Sequence, residues 1–127
     1  MNAPIVSILI GANVLLSFIA FEREQLFKKL QFSPMAVLQR KEWERVIGHA
    51  FIHGGILHLA VNMLVLYMFG GKGSREFPAV EPFFQQQFDA GGTPLFLTLY
   101  FGGVIVASIP ALFKHGNDPH YRAVGAS

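Results

Sequence analysis

His58 and Asn62 stand one helical turn apart inside an otherwise apolar run. Residues at i and i+4 stack on one face of a helix, so an imidazole and a carboxamide would present their N–H groups in the same direction. In hydrocarbon such groups are costly unless something satisfies or uses them, and polar groups at membrane depth mark a functional site facing the bundle interior. Acyl transfer needs N–H donors aimed at a developing oxyanion, together with a nucleophile and a base. The sequence offers a nucleophile in Ser127, a hydroxyl behind the small residues Gly125 and Ala126. The residues alone leave the base open.

The elements that must position these groups follow from composition. The chain has 127 residues, 52% hydrophobic and only 14% charged, with a mean hydropathy of +0.42. Residues 4–21, 56–71 and 94–113 contain no charged side chain. A helical span needs about 20 such residues, with a range of roughly 17–25. The first and third runs qualify directly. The second is short, and crosses a bilayer by thinning it, by starting below the surface, or by extending through residues 51–55. The expectation is an all-α polytopic membrane helix bundle: one domain, residues 1–127, with three spans and a fourth beginning near residue 123. Cysteine is absent and the formal charge is +2. The basic residues cluster beside the apolar runs, which favours lipid headgroups over nucleic acid as their partner. The first run follows Met1-Asn2-Ala3 with no basic side chain and ends without a small-x-small site, so it reads as an uncleaved span.

Between the runs the pattern changes. Asn13 is the one strongly polar side chain in the middle of the first span, and its expected role is an interhelical hydrogen bond. In residues 22–45, Leu26, Phe27 and Leu30 share a face opposite Lys28 and Lys29. Ser33-Pro34 reads as an N-cap with proline at the first helical position. Trp43 lies among Arg40, Lys41 and Arg45, a mixture typical of the interface. Short amphipathic helices on one leaflet are the expected result. Gly54-Gly55 interrupts the chain before the second span and Gly70-Gly71 reads as its stop. Residues 72–93 form a polar loop in which Phe84 and Phe88 could dip into the interface. In the third span, Gly102-Gly103 and Ala107-x-x-x-Ala111 predict close approach of a neighbouring helix.

Two spans separate the start of the second from the start of the fourth, so His58 and Ser127 fall on one side of the membrane at similar shallow depth. The ordered set Trp43-Glu44-Arg45, His53-Gly54-Gly55-Ile56-Leu57-His58-Leu59-Ala60-Val61-Asn62, Gly70-Gly71 and Gly125-Ala126-Ser127 resembles the rhomboid intramembrane serine proteases. The resemblance implies that Ser127 is the nucleophile and that His58 and Asn62 are oxyanion-hole donors. It makes His53 a structural histidine beside the site, and Trp43 and Arg45 anchors of a membrane-embedded first loop. The implied reaction is hydrolysis of a peptide bond in or near a transmembrane segment of a protein substrate. No cofactor or metal is implied, and the implied location is the cell (plasma) membrane.

The sequence departs from the family pattern in places. Glu44 separates Trp43 from Arg45, and an acid follows the glycine pair only at Glu76. The glycine after the serine and the sixth-span histidine that acts as base in the family are not in this sequence. Losing a dyad partner removes about 10⁴ or more in rate, so the chain as it stands is expected to be an incomplete, inactive portion of a protease. Two rivals remain open at the level of sequence. A non-catalytic rhomboid-like protein would keep the fold to bind membrane clients. A haem or metal protein would use His49, His53 and His58, although on a straight helix His58 falls about 180° from His53. Orientation is contested: the resemblance puts the first loop outside, whereas its excess of Lys and Arg would put it inside.

Overall fold

The computed structural model describes residues 3–125, and among them seven α-helices run in chain order. Helix α1, Pro4–Glu22, starts with proline at its first position, where a missing N–H costs nothing. Arg23 is extended and turns the chain into α2, Glu24–Leu30. Ser33 caps α3, Pro34–Gln39, its Oγ accepting from the Ala36 N–H at 3.3 Å. Helix α4, Glu44–Gly48, continues as a 3₁₀ turn, His49–Phe51. Helix α5 is Ile56–Val65, prolonged by a π-helical stretch, Leu66–Lys72. Helices α6, Val80–Phe88, and α7, Gly92–His115, complete the set. Two helical stretches are long and apolar enough to cross a membrane, Pro4–Glu22 and Val80–His115, and a third qualifies if Glu44–Phe51 and Ile56–Lys72 count together.

That pair meets at 94°, so the second span is not lengthened by a straight run through residues 51–55. Gly54 and Gly55 fall in the break, and Gly55, fully extended at φ −175° and ψ 171°, starts α5 afresh at Ile56. The expected stop at Gly70-Gly71 is also displaced. The helix runs through both glycines to Lys72, and Gly73 at φ +72° ends it. The two earlier glycines serve close packing instead. A Cβ on Gly70 would lie 3.0 Å from the Val6 side chain, and one on Gly71 would lie 3.3 Å from it.

Val6, Leu9 and Phe96 form the buried centre, with Phe51, Leu66, Phe84, Tyr100 and Phe101 packed around it. The outward faces are apolar: Ile8, Leu15, Leu57, Val106 and Phe113 are all exposed. In a bilayer that surface meets acyl chains, and helix association rests on packing and polar contacts rather than on the hydrophobic effect. Glu81 on α6 is fully buried and accepts from the N–H groups of Ile5 at 2.8 Å and Val6 at 2.9 Å. A carboxylate from the first turn of a helix distant in sequence thus caps the amino end of α1, where the helix dipole favours negative charge. Asn13 Nδ2 donates to the Leu9 carbonyl of its own helix at 2.7 Å, and its side chain also reaches the Tyr100 hydroxyl of α7 across the bundle. Nor do Gly102 and Gly103 admit a close neighbour among the described residues, since no atom lies within 4 Å of a Cβ built on either.

Candidate active site

Because α5 begins at Ile56, His58 sits in its first turn and Asn62 one turn further in. His58 Nδ1 accepts from the Gly54 N–H at 3.4 Å. In the neutral ring this assigns the proton to Nε2. The last described segment is tied across the first loop. Phe32 and Ala123 pair as an antiparallel bridge, with N–H to carbonyl distances of 2.8 and 3.1 Å. Arg122 Nη1 donates to Ser33 Oγ at 3.2 Å, and Gly125 N–H donates to the His49 carbonyl at 2.7 Å. Helical geometry has therefore not begun at residue 123.

These ties bring Gly125 against the two polar side chains of α5. A Cβ placed on Gly125 would stand 2.9 Å from His58 Cε1, 3.2 Å from its Nε2 and 3.3 Å from Asn62 Nδ2. Gly125 also has φ +81°, a conformation that suits glycine. Asn62 Nδ2 is buried and has no hydrogen-bond acceptor among the described residues. A buried donor without a partner is costly, and in native proteins such groups call for a specific explanation. Ser127 and Ala126 lie outside the described residues.

The histidine at position 53 is 1% exposed, and its Nδ1 lies 2.9 Å from Ser17 Oγ. Ser17 donates its one proton to the Phe51 carbonyl at 3.0 Å, so His53 is the donor, from Nδ1–H, to the hydroxyl. The His53 and His58 rings meet edge to face at 5.1 Å. Arg45 is buried, and its Nη1 donates to the carbonyls of Lys28 at 2.9 Å and Gln31 at 2.7 Å, while Nε and Nη2 reach Glu42. It thereby joins α2 to α4. Trp43, by contrast, is 56% exposed. His49 Nδ1 lies 2.8 Å from the Arg45 carbonyl and its ring packs on Phe32. Among the described residues no three His, Cys, Asp or Glu side chains converge as metal ligands.

Ser17, Tyr100 and Glu81 escaped the sequence reading. Ser17 had a signal, since it stands one turn from Asn13 in an apolar helix, the same i, i+4 pattern that singled out His58 and Asn62. A cavity of about 280 Å³ lies beneath the site, lined by Asn13, Ala50, His53, Asn62, Leu66 and Tyr100 among others.

Apolar outward faces, spanning helices and polar groups turned inward define an integral membrane protein. The rhomboid domain family's model matches residues 40–127, which is most of the chain. The protein belongs to the rhomboid family. Comparison with curated proteins and with solved structures finds no significant match.

Proposed function

We propose that the protein is an intramembrane serine endopeptidase of the rhomboid type, with Ser127 as nucleophile and His58 and Asn62 as oxyanion donors. The observation that supports this most is the buried Nδ2 of Asn62, without an acceptor among the described residues and facing Gly125, two residues before the serine. A tetrahedral oxyanion held there would receive the Asn62 amide N–H, the His58 Nε2–H and the Ser127 backbone N–H. Donors preset in a water-poor site stabilise that charge more than the ground-state carbonyl. Ser127 Oγ bonds to the scissile carbonyl carbon, its proton passes to a base, and the base returns it to the leaving amine as the C–N bond breaks. Water then releases the acyl group.

The base is the part no described residue fills, because His53 is tied to Ser17 and His49 faces the Arg45 carbonyl. In the family pattern a later-span histidine has this role. The substrate is a transmembrane protein segment, reached within the bilayer of the cell membrane. The test uses a form of the protein that includes a later-span histidine. Ser127→Ala abolishes cleavage of a model membrane substrate and labelling by a fluorophosphonate. His58→Ala and Asn62→Ala each lower kcat by about 10- to 1000-fold, the scale of a lost oxyanion donor. Undiminished turnover in the serine variant refutes the proposal.

A further inference from the structure

We propose that the groove between α4 and α7 binds one anionic phospholipid, an acyl chain lying along Trp43 and Ile105 and the phosphate meeting Lys41. The groove encloses about 300 Å³ and is lined by Trp43, Val46, Ile47, Ile105, Ile109 and Leu112. Its wall is aliphatic apart from the indole, and Trp43, Ile105 and Ile109 all stand open. A surface of this kind accepts a flexible hydrocarbon chain and, apart from the indole N–H, offers no hydrogen bond to a peptide.

Charge at the rim selects the headgroup. Arg40 and Lys41 immediately precede the turn that leads into Trp43. Glu42 is already held between Arg40, at 3.3 Å, and Arg45, also at 3.3 Å. Lys41 has no ion pair among the described residues, and its backbone is held at φ +56°, a conformation that costs a side-chain-bearing residue. The opposing charge is Glu44, exposed in the first turn of α4. Counting the buried Arg45, the three cations outnumber Glu42 and Glu44 by one charge, and indole rings lie by preference at headgroup depth. Basic residues at a membrane surface attract anionic lipid by about fivefold each. The site is independent of whether Ser127 is a nucleophile.

Trp43 is the single tryptophan of the chain, so its fluorescence reports the lipid at the mouth of the groove. The chain is reconstituted in vesicles of phosphatidylcholine with a minor share of phosphatidylglycerol, with brominated acyl chains on one lipid at a time. Quenching by the brominated anionic lipid should exceed its mole fraction by about fivefold. Lys41→Gln should bring it down to the mole fraction. Lys28→Gln, which removes a cation paired with Glu24 at 3.0 Å on α2, should leave the preference intact. Quenching that follows mole fraction in the unaltered chain means bulk lipid only and overturns the site. So does a preference that survives Lys41→Gln, or one that Lys28→Gln abolishes equally. Far-UV circular dichroism on each variant confirms that the readings come from folded protein.

Discussion

Removing the Glu81 carboxylate should loosen the bundle at a point remote from any chemistry. The group is fully buried and takes the N–H groups of Ile5 and Val6 at 2.8 and 2.9 Å. Hydrogen bonds to a charged acceptor contribute about 1.5–3 kcal/mol each, and a buried donor stripped of its partner costs about 1–3 kcal/mol. Water entering beside α6 would recover part of that. Glu81→Ala should therefore cost about 3 kcal/mol, while Glu81→Gln, which keeps one acceptor oxygen, should cost about half as much. Against a total of about 5–15 kcal/mol, the alanine change is a large fraction. The assay is reversible unfolding in mixed micelles, titrating a denaturing detergent and following far-UV circular dichroism. Ser17 lies on the same helix, about 18 Å from Ile5 at 1.5 Å per residue. The Glu81→Ala and Ser17→Ala losses should then add, because separated sites without shared partners do so within a few tenths of a kcal/mol. An alanine variant that loses less than about 0.5 kcal/mol would refute the reasoning, since it would mean the buried cap contributes nothing net.

Gly125→Ala should cost about 1–2 kcal/mol from its left-handed backbone alone and should also push on His58 and Asn62, its Cβ arriving 2.9 Å from the imidazole. Nuclear magnetic resonance of the His58 ring protons should show the displacement, and unchanged shifts would contradict it. Ser17→Ala should cost about 1–3 kcal/mol by leaving the His53 Nδ1–H and the Phe51 carbonyl without partners. Equal stability in the same detergent titration would count against that network. A Gln31→Cys variant has no other cysteine to confuse it and should react with an impermeant maleimide on intact cells. Labelling only after the cells are opened would place the first loop inside.

The helical character, the apolar runs and the His58–Asn62 pair were legible because each depends on local spacing. An i, i+4 polar pair in an oily run is rare enough to be read from the chain alone. Glu81 was not legible, because an acid in a polar loop is unremarkable and its partners lie 75 and 76 positions away. Gly70-Gly71 was misread for a different reason. Glycine both ends helices and lets a neighbour approach, and only the position of Val6 decides between the two. Asn13 was legible in part: its carboxamide meets Tyr100 across the bundle, and it also bonds the Leu9 carbonyl of its own helix. Gly102-Gly103 carried a packing signature that no described neighbour uses.

The break before α5 is what lets the polar groups meet the chain at Gly125. Had the helix run straight from residue 51, His58 would lie about 7.5 Å further along the axis from the helix start, at 1.5 Å per residue. The first turn would then be apolar and the imidazole would sit below the loop that carries Gly125. The break instead starts the helix at Ile56, leaving the Gly54 N–H free to orient the imidazole. The arm before the bend is fixed independently, by Arg45 on the carbonyls of α2 and by Ser17 on Phe51 and His53. That fixed arm also offers the His49 carbonyl to the Gly125 N–H. One bend thus sets the depth of both polar side chains and the position of the segment that approaches them. Polarity chose the residues, but the interrupted helix decides that they face the same few ångströms of space.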